Sequence, residues 1–207
     1  MSSISIIGSG NMARAIGARA VKGGNEVEVS SRDAAKAETL AKTLGGGATA
    51  GKFGAAPVGE IVILAVPYAN AVSVVAQYGD VLAGKVIVDI TNPFNADATG
   101  LVTADGTSIA QEIAKTAPAS AHVVKAFNTI FGHVLAQEGR NMDALLAGDD
   151  AQAKASVSVF IESLGLRPLD VGGLGMARWL EGASLLVMGL ARNGVANLDF
   201  TLGVRLA

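Results

Sequence analysis

The segment Gly8-Ser9-Gly10-Asn11-Met12-Ala13 has residue types and spacing that could do chemistry at once. It reads G-x-G-x-x-A. Gly8 permits a tight turn, Gly10 lets backbone approach a pyrophosphate, and Ala13 lets a helix pack closely on a strand. Unpaired N–H groups at a helix start would face that anion. The motif is informative only between a strand and a helix. The apolar run Ile4 to Ile7 precedes it, and alanines and aliphatics at helical spacing run from Asn11 to Lys22. Dinucleotide binding follows as the expectation; the bland alternative is a tight turn that holds no ligand.

Ser30-Ser31-Arg32 ends the next apolar alternation. An NAD site usually places a carboxylate at this position, roughly twenty residues on from the glycine turn, to bind the ribose hydroxyls. Here two hydroxyls and a guanidinium stand instead, with Lys36 one helical turn beyond. Arg is a natural partner for a 2′-phosphate. The cofactor expected is therefore NADP(H), with Asp33 read as a helix cap. The plainer reading makes Arg32 and Lys36 ordinary solvated helix residues.

Three further strand ends should reach the same crevice. Ala65-Val66-Pro67 would pass under a ribose or the nicotinamide. Asn92-Pro93 offers an amide for a ribose or carboxamide, or merely starts a turn. Ala126-Phe127-Asn128 would face the nicotinamide end, Phe127 packing on a ring and Asn128 holding an amide or carbonyl. Each of these could equally be a structural strand end. No nucleophilic triad, carboxylate pair or metal-spaced histidines stand out, so no catalytic side chain and no metal ligand is assigned. Hydride transfer between two cofactors needs orientation more than proton transfer from a side chain.

The elements that must position these residues alternate along the chain. Strands are expected at Ile4 to Ile7, Glu26 to Ser30, Ile61 to Val66, Val86 to Ile90, His122 to Ala126, Asp143 to Ala147 and Arg167 to Val171. Helices are expected at Asn11 to Lys22, Asp33 to Leu44, Ala69 to Tyr78, Ser108 to Lys115, Gln152 to Leu164 and Met176 to Arg192. Such alternation argues for an α/β fold, a Rossmann-type doubly wound and mainly parallel sheet with a small C-terminal extension. Ligands lie beyond the C-terminal strand ends in this architecture. One NADP-binding unit over residues 1–207 is expected, with a dinucleotide core at 1–136 and the extension at 137–207.

Composition narrows the function classes. Half of the 207 residues are hydrophobic, 16% are charged, and the formal net charge is -2. That balance does not attract nucleic acid or an anionic membrane over long range. With no cysteine, thiolate chemistry and disulfides are excluded. The most apolar stretches are broken by Pro67 and Asn70, or span only 182–191, so no membrane span is expected. No signal peptide is evident, and a cytoplasmic location is the default expectation.

The residues also resemble a known family. Ile6-Ile7-Gly8-Ser9-Gly10-Asn11-Met12, the Ser30-Ser31-Arg32 turn with Lys36, and Val66-Pro67 resemble the NADPH-dependent F420 reductases. So do Gly148-Asp149-Asp150, Leu164 to Asp170 and Arg178-Trp179-Leu180-Glu181. Val124 to Thr129 resembles the related cytosolic domains of STEAP-type metalloreductases. The resemblance implies NADPH in the crevice and direct hydride transfer to a deazaflavin (coenzyme F420) or a flavin (FMN or FAD). It implies a 2′-phosphate site at Ser31, Arg32 and Lys36 and a pyrophosphate loop from Ser9 to Met12. Thr91 to Asn95 and Phe127-Asn128 depart from the F420 reductases, and these segments should touch the second substrate. Two alternatives stand beside this reading: an imine reductase similar to pyrroline-5-carboxylate reductase, and a non-enzymatic NADP(H) sensor. A homodimer is expected from the apolar last helix and from the tail 197–206, which alternates through Leu198, Phe200, Leu202 and Val204.

Overall fold

A computed structural model describes residues 1–205 of the chain. Its centre is one eight-stranded sheet in the order β3-β2-β1-β4-β5-β6-β7-β8. The strands are β1 (Ser3–Ile7), β2 (Glu26–Ser31), β3 (Thr49–Lys52), β4 (Ile61–Leu64), β5 (Val86–Asp89), β6 (His122–Ala126), β7 (Asp143–Gly148) and β8 (Arg167–Asp170). The helices are α1 (Asn11–Lys22), α2 (Ala34–Leu44), α3 (Tyr68–Tyr78), α4 (Ile109–Thr116), α5 (Gly132–Leu135), α6 (Ala151–Ser163) and α7 (Ala177–Arg192). The fold is Rossmann-like α/β. The first six strands run parallel; β7 turns antiparallel to β6, and β8 runs with β7.

The inner strands are mostly apolar because both faces are covered. One face carries α1, α2 and α6, whose Ile16, Leu40, Val157 and Phe160 meet Ile6, Val29, Ile63 and Val88. The other carries α3, α4 and the start of α7, which bury Ile7, Val62, Leu64 and Ile87. Local signals set the helix starts. Asp33, Ser108 and Asp150 cap α2, α4 and α6 by accepting from the N–H three residues on.

Two short elements lacked a sequence pattern. β3 is a largely exposed edge strand of sequence TAGK, with no apolar alternation to betray it. α5 is one turn, set by the loop beyond β6. The last helix also differs from an all-round apolar rod. Ala177, Leu180, Glu181, Ser184 and Val187 are buried, whereas Trp179, Leu186 and Leu190 face outward. Part of the tail packs on its own chain. Val204 N–H donates to Asp143, and Phe200 meets Phe131 edge-on. Leu206 lies outside the described residues. Among these, no helix is long and apolar enough to cross a membrane.

Candidate functional site

Strand register builds the site. Ser30, Ile7, Leu64, Asp89 and Lys125 are successive partners across five parallel strands. The segments that follow them therefore emerge along one edge. The chain order reverses between β1 and β4, which opens a crevice there.

Gly8 forms the floor of the crevice. Its φ is +124°, and a Cβ would lie 2.1 Å from the Ala65 carbonyl oxygen. Its N–H donates to Ser30 O at 2.8 Å. Gly10 caps α1 in an extended conformation, and a Cβ there would meet nothing within 4 Å. The α1 N-terminus thus faces open space with no side chain over it. Asn11 is exposed and Met12 half-buried at its start.

At the β2 end, Ser9 and Ser31 hydroxyls lie 3.3 Å apart. Arg32 is exposed and has no ion-pair partner among the described residues. Lys36 is exposed and only 3.6 Å from Asp33, a weak surface pair. Two cations and two hydroxyls remain available to a phosphate. Ser30 does not join them. Its side chain is buried, 3.1 Å from the Tyr78 hydroxyl under the sheet, so its expected contact with the cofactor is corrected to a structural one.

Ala65 and Val66 are half-buried and Pro67 is exposed, as walls of the crevice. Beyond them the site narrows to a cavity of about 220 Å³. Met12, Phe94, Phe131 and Met188 give it apolar walls, and Asn128 and Thr129 a polar edge. Phe94 comes from the long β5–α4 loop, closed by its bridge to Leu101 and held to α7 by Arg192, which donates to the Asp97 and Ala98 carbonyls. Pro93 and Ala126 are buried behind the wall. Phe127 is fully buried and meets Phe160 edge-on, 6.2 Å between ring centroids. The expected stacking of Phe127 on a ligand ring is therefore corrected: its ring points into the α6-side core. Its φ of +60° is a strained conformation for a bulky residue.

Asn92 and Asn128 form a ladder between the two strand ends. Asn128 Nδ2 lies 2.9 Å from Asn92 Oδ1, Leu180 O and Ser184 Oγ, and Asn92 Nδ2 donates to Asn128 O at 2.8 Å. Behind the ladder lies an ion cluster that the sequence reading did not assign. Lys125 Nζ donates to Asp89 at 2.8 Å, Glu181 at 2.9 Å and Thr91 O at 2.5 Å. All three charged side chains are fully buried. Glu181 also accepts from the Ile109 N–H at the start of α4. Burial pushes the Glu181 carboxyl up, against the pull of the Lys125 ammonium. The available signal was one charge in each of two apolar strands, Asp89 in β5 and Lys125 in β6. Parallel register makes them neighbours on one face.

Residues 3–93, which carry the glycine turn, the Ser31–Arg32 corner and the Ala65 wall, match the family described as NADP oxidoreductase, coenzyme F420-dependent. Over these residues the chain is similar to that family. Its relatives extend the match over the rest of the chain. It is 33% identical over 187 residues to metalloreductase STEAP3 of Rattus norvegicus, covering 89% of this chain but 37% of that protein's length. It is 28% identical over 209 residues to the F420-dependent NADP reductase of Methanothermobacter marburgensis, covering 92% of each. A crystal structure from Arthrobacter sp. FB24, itself only provisionally an F420-dependent NADP reductase, superposes with a TM-score of 0.83 at 27% identity, over 99% of this chain and 100% of that one. The family motif thus coincides with the open end of the crevice. The Asn92–Asn128 ladder straddles the limit of the family match, with Asn128 beyond it.

Proposed function

We propose that this chain is a member of that family, an NADPH-dependent oxidoreductase that passes hydride directly between NADPH and coenzyme F420 or a flavin. Residues 1–136 would form the dinucleotide-binding core and 137–207 its extension, in one unit. The observation that carries the reading is the unshielded anion-binding corner. The α1 N-terminus is bare above Gly10, and Ser31, Arg32 and Lys36 stand beside it with no strong internal partner. A pyrophosphate fits the helix start, and a 2′-phosphate fits the cation pair. In this arrangement Asn11 and Met12 border the pyrophosphate, and Ala65, Val66 and Pro67 border the ribose.

The cofactor, when bound, supplies or takes up a hydride. The chain's part is orientation and exclusion of water by the apolar cavity walls. Lys125, Asp89 and Glu181 are fully buried, so none is placed to exchange a proton with a substrate. That favours an acceptor needing no side-chain acid, such as a deazaflavin or flavin ring, over a carbonyl. The outward Trp179, Leu186 and Leu190 of α7 support a homodimer.

The test follows NADPH absorbance with F420, FMN, FAD or riboflavin added in turn, and NADH run in parallel. Rapid oxidation by F420 or one flavin is expected. Arg32→Ala is expected to weaken NADPH binding by about tenfold or more, the scale of a lost charge-assisted contact, and to leave NADH unaffected. Tight NADPH binding without turnover by any acceptor would favour a sensor. Equal use of NADH would overturn the phosphate assignment.

A further inference from the structure

The chain between β5 and α4, residues 90–108, holds no helix or strand of its own apart from the Phe94–Leu101 bridge. Segments of this kind longer than about 12–15 residues are uncommon in compact domains, and active-site lids are one of their main uses. The middle of the segment is a self-contained tongue. Asn95 N–H donates to Gly100 O at 3.0 Å and Val102 N–H to Pro93 O at 2.8 Å. The Asn95 side chain closes the tip by accepting from the Thr99 and Gly100 N–H groups. All these bonds travel with the tongue when it moves.

Both ends of the segment are anchored. Before the tongue, Lys125 grips Thr91 O and Asn128 holds Asn92. After it, Thr107 donates to Glu112 and Ser108 caps α4. Between these anchors the ties are few. Among the described residues, 93–106 make hydrogen bonds to one other element alone: Arg192, at the end of α7, donates to Asp97 O at 3.0 Å and to Ala98 O. Neither apolar core includes Phe94, Leu101 or Val102. Arg192 is exposed, so its bonds compete with water and the latch is weak. Yet the tongue carries Phe94 into the wall of the 220 Å³ cavity. Met12, Phe127, Ile130 and Phe131 on the other walls are packed into the core. Pockets for ligands of moderate size run to roughly 300–1,000 Å³. A nicotinamide with a three-ring acceptor stacked on it needs more room than this cavity offers, and the tongue is the wall free to give way.

We propose that residues 93–106 form a lid over this cavity, latched to α7 by Arg192, which opens to admit a planar multi-ring hydride acceptor and closes over it. The proposal rests on the hydride-transfer reading and adds the route by which the second substrate enters. Closure restores the apolar wall at Phe94 and keeps water from the reacting rings.

The chain has no cysteine, so introduced thiols report on the lid alone. Ala98→Cys with Arg192→Cys in the full chain is bridged by a short bis-maleimide whose linker contains a disulfide, the single-cysteine variants being treated alike. The bridged protein is expected to bind NADPH within about twofold of the unbridged one, as for a change at a surface site. Its oxidation of NADPH by F420 or FMN should slow by about tenfold or more, because the lid no longer opens. Cutting the linker with a phosphine should restore the rate. A second measurement needs no turnover. The thiol of Phe94→Cys is expected to react with a bulky maleimide about fivefold faster when Arg192→Ala is added, the scale of a lost hydrogen bond. Full turnover in the bridged protein would overturn the lid while the hydride-transfer reading stands, and loss of NADPH binding there would overturn its assignment to the acceptor. A labelling rate indifferent to Arg192→Ala would overturn the latch. Absence of turnover by the unmodified chain with every acceptor would overturn the hydride-transfer reading and the lid together.

Discussion

Gly8 and Gly10 are glycine for opposite reasons, and the difference can be measured. At Gly8 any side chain collides with the Ala65 backbone, and the φ of +124° is closed to other residues. Gly8→Ala is expected to destabilise the fold by about 1–3 kcal/mol or more. At Gly10 the backbone is extended and the space above it is empty. Gly10→Ala is expected to leave stability within about 0.5 kcal/mol, as at an unconstrained surface position. Yet its methyl group would stand where a pyrophosphate must approach, so NADPH binding should fall at least tenfold. Thermal melts and NADPH titrations of the two variants separate these effects. Loss of stability with Gly10→Ala would show that the glycine serves the turn and not a ligand. The motif was legible in the sequence because its physics is local: a turn, a close approach and a helix start lie within six residues. Ser30 was misread because its partner, Tyr78, lies 48 residues away and only the fold brings the hydroxyls together.

Elements are joined at the inner end of the crevice by a charge cluster that no local rule could reveal. Asp89 comes from β5, Lys125 from β6 and Glu181 from α7. Each looks like a lone charge in an apolar segment until register and helix docking align them. Removing the cation while leaving both carboxyls buried should cost far more than losing a surface pair. Lys125→Met is expected to destabilise the chain by about 3–5 kcal/mol near neutral pH. Glu181 supplies the second measurement. Burial raises its pKa above the usual Glu value of about 4.3, so the folded chain holds this proton more tightly than the unfolded one. Its contribution is then fully present below that usual value and is lost as pH rises through the raised one. Urea unfolding of the unmodified chain and of Glu181→Gln, across that range, should show the stability difference moving against the unmodified chain as pH increases. Asp89 and Lys125 are the charged groups that face it, so the same series in Asp89→Asn separates their coupling from the burial effect. A pH-independent difference would mean that the Glu181 carboxyl binds its proton equally in the folded and unfolded chain.

At the scale of the whole molecule, strand alternation made the parallel sheet readable in advance, whereas the division of α7 into an inner and an outer face was not. Apolar residues on a helix look alike in sequence whether they face a sheet or another chain. The structure divides them. Leu180 and Val187 face inward with Glu181 and Ser184, closing the ion cluster and the asparagine ladder, while Trp179, Leu186 and Leu190 lie outside at 61%, 73% and 47% exposure. The outer three recur at spacings of seven and four residues, which keeps them on one stripe. Because the inner face of the same helix carries the site, a change on the outer stripe can disturb association without touching a ligand contact. Leu186→Glu is therefore expected to convert a homodimer to a monomer in light scattering coupled to size exclusion, with NADPH affinity changed by less than about twofold, as for a surface site. A monomeric unmodified chain would remove the dimer. A monomeric variant that also loses NADPH affinity would show instead that association holds α7, and with it Ser184 and Asn128, in place.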